Sequence, residues 1–178
     1  MKRLKNKNFF VEVPVDIYDR HVVAFIGDPK SFRSECQDMF SDPTEWIDTC
    51  RDIEDCGGFC IGMTGGRGKF ELVFINTDIR PDKIEMVVWH ESLHAAINIL
   101  CGIGGNVNIR EQEPIAYLQG HIATQILQKI RDKQKDNRKS SQISSQKLDK
   151  SENQDEMIDS SSEEAKSVTE RYRASFRK

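Results

Sequence analysis

The residues best placed to do chemistry are five in a row, His90-Glu91-Ser92-Leu93-His94. On a helix, side chains four apart differ by about 40° in direction, so both imidazoles leave one face and can share one metal ion. Glu91 points about 100° away from His90, close enough to hold a water on that ion without becoming a ligand. Neutral ring nitrogens suit Zn²⁺, and a carboxylate beside a metal-polarised water can take its proton, which is the equipment of metal-assisted hydrolysis. With the chain's own four His and 14 Glu, the spacing arises by accident roughly 0.007 times per chain. The bland alternative is a pair of surface or hydrogen-bonded histidines. Three ionisable groups set among Val, Ile, Leu, Ala and Trp are costly unless something satisfies them, which favours the metal.

A catalytic zinc takes three protein ligands and keeps one open position. The segment beyond this helix offers Glu111, Glu113 and His121 as the third. Glu113, Tyr117 and Gly120 share a helix face by their spacings of four and seven, whereas Glu111 lies about 200° from Glu113.

The elements that must position these groups follow from the hydrophobic pattern. Residues 9–15 and 21–27 read as strands joined by a polar turn, the second a continuous apolar run from Val22 to Ile26. Residues 29–40, and 43–51 after them, carry helical spacing. Residues 60–63 and 69–76 flank Thr64-Gly65-Gly66-Arg67-Gly68, a hairpin signal whose five-residue loop leaves the register open. The glycine cluster lacks the Lys-Ser/Thr ending of a phosphate loop. The histidine helix is expected to start at Asp82, with Glu85 reaching back as in a capping box, and to stop at Gly102. It is apolar on nearly every face, which predicts a buried helix. A second helix begins around 111–114 and continues through Ile130.

Composition divides the chain near residue 132. Of 178 residues 37% are hydrophobic, yet only nine apolar residues lie in 133–178, too few to offset the entropy of ordering that tail. The expectation is a single domain at 1–132 and a charged, Ser-rich tail at 133–178, disordered or partly helical. The front part holds 15 Lys and Arg against 20 Asp and Glu, a balance of −5, and the tail 11 against nine, a balance of +2. An acidic body argues against nucleic acid as a partner. The apolar run at 9–15 is broken by Glu12 and Pro14, so neither an export signal nor a membrane span is read, and the expected location is the cytoplasm. Five cysteines, an odd number, fit reduced thiols there. Cys56 and Cys60 lack the second pair of a zinc site and read as small buried side chains.

His90 to Ala96 (H-E-S-L-H-A-A), the glycine-rich loop and Glu113 to Gly120 (E-P-I-A-Y-L-Q-G) together resemble the small zincin-like metallopeptidases of bacteriophages and prophages, of gluzincin type. The resemblance spans about residues 60–125. It implies an α+β fold, a small mixed or antiparallel sheet packed against a buried metal-binding helix and a second ligand-bearing helix. It implies Zn²⁺ held by His90, His94 and Glu113, with Glu91 as general base, acting on a peptide or protein substrate held in extended form along an edge strand, for which 69–76 is the candidate. Tyr117 is the candidate to stabilise the oxyanion; simple packing is the other reading of it. A rival function is a non-catalytic zincin-fold module of a phage, a regulator, host-defence antagonist or virion component, with the tail tethering a protein partner.

Overall fold

The computed structural model describes residues 8–51, 53–65, 68–105, 107–108 and 112–148. Alternating apolar residues build β1 (Phe9–Val15) and a continuous apolar run builds β2 (Arg20–Gly27), joined through a 3₁₀ turn at Asp16–Tyr18. Then comes α1 (Pro29–Cys36), capped by Asp28, whose carboxylate accepts from the Ser31 N–H at 2.9 Å while Pro29 occupies the first turn. A 3₁₀ turn at Gln37–Met39 leads to α2 (Pro43–Arg51), β3 (Gly58–Gly65), β4 (Gly68–Asn76), α3 (Ile84–Gly102) and α4 (Glu113–Leu148). The fold is α+β with a mixed four-stranded sheet and four α-helices.

The sheet order is β1-β2-β4-β3. β1 with β2 and β3 with β4 are antiparallel hairpins, and β2 runs parallel to β4. Gly65 opposes Gly68, which settles the register that the glycine-rich loop leaves open. Residues 69–76 therefore do not form an edge, contrary to expectation. β4 is interior, and the outer strands are β1 and β3. The physical reason lies in its composition: Phe70 to Asn76 are all buried, as in a strand covered on both faces, and such a run belongs inside a sheet.

Each face of the sheet is covered. α3 packs on β3 and β4, and α4 packs on β1 and α3. Between them lies an aliphatic core that includes Val22, Ala24, Ile26, Val73, Ile75, Ile99, Ile122 and Ile126. The opposite face carries an aromatic core, Phe25, Phe70 and Phe74 of the sheet against Phe32 of α1 and, half-buried, Trp46 of α2.

Two local expectations are corrected. Asp82 does not cap α3, whose first turn has no side-chain cap, because Arg80 holds the Asp82 carboxylate in an ion pair at 2.9 Å. Nor is α3 buried all round. Val87, Val88, Glu91, Ser92, Ala95 and Ile99 face inward, but Met86 is 58% exposed, Trp89 is 39% exposed and both histidines are exposed. One sheet and one neighbouring helix cover only part of a helix surface, so a hydrophobic sequence does not by itself bury every face. The helix ends with Gly104 at φ 80°, in the left-handed region that glycine supplies, and the Gly105 N–H donates to the Leu100 carbonyl at 2.8 Å. α4 runs past residue 132 to Leu148. Its Lys, Gln and Arg residues are good helix formers and propagate a helix without an apolar stripe, with Asp132 taking a hydrogen bond from Gln128 at 3.0 Å and facing Lys135 at 3.5 Å. The rest of the tail, 149–178, lies outside the described residues. Among the described residues no helix is long and apolar enough to cross a membrane.

Candidate metal centre

The centre is built on the exposed edge of α3. His90 and His94 project from adjacent turns, and their Nε2 atoms lie 3.1 Å apart with the rings at 75°. Two nitrogens bound tetrahedrally to one Zn²⁺ at 2.0–2.1 Å stand about 3.3 Å apart, so this pair fits one ion. Glu91 completes a group whose ligand atoms all lie within 4.8 Å of one another. Unlike the histidines it is buried, 5% exposed. Burial pushes its carboxyl above the usual carboxylate range, and His90 opposes the shift.

Gly58 of β3 is what lets Glu91 sit there. A Cβ at Gly58 would come within 2.5 Å of the Phe74 carbonyl oxygen, 2.7 Å of Val87 and 3.1 Å of the Glu91 side chain. Only glycine allows α3 to lie this close to the outer strand.

Beyond Glu91 the seam between the sheet and α3 holds a second buried carboxylate. Glu71 of β4 is 7% exposed, and its Oε2 accepts from Asn98 Nδ2 at 2.9 Å and faces the Cys60 thiol at 3.8 Å. Burial raises the Glu71 carboxyl; the hydrogen bonds from Asn98 and Cys60 and the charge of Arg20 pull the other way. Burial and the carboxylates of Glu71 and Glu91 push the Cys60 thiol far up, so it stays a neutral thiol. Gly58, Cys60, Glu71 and Asn98 escape the sequence reading. Two signals stand in it nonetheless: Glu71 is the sole charged residue in the run Phe70 to Asn76, and Asn98 continues the four-residue spacing of His90 and His94.

Glu113 and Tyr117 stand elsewhere. They share a face of α4, as their spacing requires, but that face looks towards Asp16, Ile17 and Tyr18 at the end of β1, across a cavity of about 580 Å³. Tyr117 is 77% exposed. His121 borders the same cavity, where its Nε2 donates to the Pro14 carbonyl at 3.1 Å. The α4 positions that line a cavity with Leu93 and Ile97 of α3 are Ile115, Ala116 and Gln119, with Gln112 just before the helix, and Gln119 donates to the Trp89 carbonyl at 3.0 Å. Thus the structure brings His90, Glu91 and His94 together and does not bring Glu113, Tyr117 or His121 to them. Glu111 lies outside the described residues. Cys56 and Cys60 pack into opposite cores, Cys56 with the aromatic cluster and Cys60 with the aliphatic one, and none of the five cysteines is in a disulfide.

Comparison of the chain with protein-family models, with curated protein sequences and with solved structures yields no match.

Proposed function

We propose that this protein is a zinc-dependent peptide hydrolase of zincin-like build. The observation that carries the proposal is the 3.1 Å approach of the two Nε2 atoms beside a buried Glu91. His90 and His94 would hold Zn²⁺, which when bound would supply a water of lowered pKa and polarise the scissile carbonyl. Glu91 would accept the proton of the attacking water and return it to the leaving amine, a role suited to a carboxyl whose pKa burial raises. β3, an outer strand alongside α3, takes the place of β4 as the strand that holds an extended peptide. Glu113 is assigned as third ligand, and Tyr117 as a hydrogen-bond donor to the oxyanion, on the sequence resemblance. Both assignments require the first turns of α4 to rotate by roughly 100°, one residue's angle, towards α3.

A second reading is favoured by that same displacement: with two histidines gathered and Glu113 turned away, the fold serves as a non-catalytic binding or structural module. One experiment separates the two. Purified protein is analysed for bound metal, then incubated with a mixed peptide library with and without chelator, beside Glu91→Gln. The hydrolase reading expects stoichiometric zinc in both proteins and chelator-sensitive cleavage by the wild type, reduced 10²- to 10⁴-fold in Glu91→Gln. Zinc without cleavage supports the module. Absence of bound transition metal sinks both the metal site and the hydrolase.

A further inference from the structure

The packed seam between β3 and α3 holds more than the proposed chemistry uses. The β3 residues that face α3 are small: Gly58, Cys60 and Gly62. Gly58 is filled by close packing against Glu91 and Val87, but Gly62 is not filled. A Cβ there would meet only the two Glu71 carboxylate oxygens, at 3.6 and 3.7 Å, in ordinary contact. Gly62 is exposed, so it leaves a gap from the outer strand to a carboxylate that is otherwise enclosed. That carboxylate is provided with neutral donors, Asn98 and Cys60, while Arg20 acts on it through space without an ion pair. Among the described residues no cation pairs with this buried carboxylate, and an ionised carboxyl offers about four lone-pair sites, so acceptor capacity is left over.

We infer that Glu71, oriented by Asn98 and reached past Gly62, is a recognition site for a cationic group on the bound peptide, an ammonium or guanidinium. The inference rests on the peptidase reading for its ligand, since a peptide added to the outer strand β3 would run past Gly58, beside Glu91, and Gly62, beside Glu71. A residue of that peptide lying opposite Gly62 projects to the α3 side of the sheet, where Glu71 and Asn98 stand. Gly58, beside Glu91, and Gly62, beside Glu71, are four strand positions apart, about 13 Å. The cation is therefore set roughly four residues along the peptide from the position beside Glu91. The same chemistry has two sources, a Lys or Arg side chain and a free peptide N-terminus.

The test uses the full chain carrying Glu91→Gln, loaded with zinc, and synthetic decapeptides in which one Lys or norleucine is moved through each position, with free or acetylated N-termini. Calorimetric binding is measured, and the same peptides are given to the wild type for cleavage. The expected result is binding about 10- to 100-fold tighter for Lys than for norleucine at one position, or for free over acetylated ends, which identifies the source of the cation. That ratio should collapse towards one when Glu71→Gln is added and survive in part in Glu71→Asp. If Glu71→Gln does not fold, Gly62→Val, which closes the gap while keeping the carboxylate, should collapse the ratio instead. Equal binding of all forms by the parent protein overturns the inference, as does a ratio that persists without the Glu71 carboxylate. Cleavage without cation preference leaves the hydrolase standing and removes the cation site. Cation-selective binding by a protein that never cleaves keeps the site and removes the hydrolase.

Discussion

The two faces of the sheet are built from the same four strands and are stabilised differently. One is packed with rings: Phe32 is fully buried and lies within 4.9–5.8 Å, centroid to centroid, of Phe25, Trp46, Phe59 and Phe74. The buried polar side chain on that side of β4, Asn76, is satisfied by donating to the Cys56 carbonyl at 3.0 Å. The other face is aliphatic, and it buries Glu71, Glu91 and Ser92 under α3. Aromatic rings fill volume with large contact areas and little need for polar partners. The aliphatic face carries buried carboxyls whose charge is opposed by their surroundings, which is a stability cost and a common mark of a functional site. The comparison teaches that one face is filled by rings, while the other carries the candidate metal centre and the buried carboxyls.

The strongest way to break this division is to truncate the ring cluster. Phe32→Ala should lower the unfolding free energy by about 3–5 kcal/mol, as large aromatic truncations do, while leaving zinc stoichiometry unchanged at temperatures where the protein stays folded. Denaturant melts and metal analysis check this together. Loss of zinc from folded Phe32→Ala would show that the two faces are not independent.

A smaller effect concerns pH. The folded-state pKa of Glu71 is raised, so the protonated form is favoured in the fold. Its contribution is fully present below the ordinary carboxylate range, near pH 4, and is lost as pH rises through the higher folded-state value. Thermal melts from pH 4 to 8 should therefore show the wild type losing stability relative to Glu71→Gln as pH rises, then a constant gap. A difference between the two that does not change with pH contradicts the assignment of Glu71 as a desolvated carboxyl.

The smallest effect is at Ser92, fully buried, whose hydroxyl has no hydrogen-bond partner among the described residues. Ser92→Ala should stabilise the protein by about 1 kcal/mol, because a buried unsatisfied hydroxyl is removed with little change in shape. A marked loss of stability would mean that the hydroxyl is satisfied and belongs to the polar seam.

Much of this was legible along the chain. The strand at 9–15, the helices after Asp28 and Pro43, and the helix carrying the histidines follow from spacing and turn residues, which are local signals. So does the pairing of His90 with His94, since four residues of helix are enough to bring two side chains together. Asp82 shows the limit: it has the chemistry of a cap, but Arg80 competes for the same carboxylate and holds it. Glu113 shows a deeper one. Its alignment with Tyr117 is a property of α4 alone, whereas which way that face looks depends on how α4 is rotated against α3 and β1.

What the sequence determined by itself is the set of elements and the His-Glu-His group, because both rest on repeats of two to four residues within one segment. What only the tertiary structure decided is the strand order that puts β4 inside and β3 outside, the exposure of one edge of α3, and the meeting of Cys60, Glu71 and Asn98 from three separate elements. Those relations depend on which surfaces cover one another, and no repeat within a single segment encodes them.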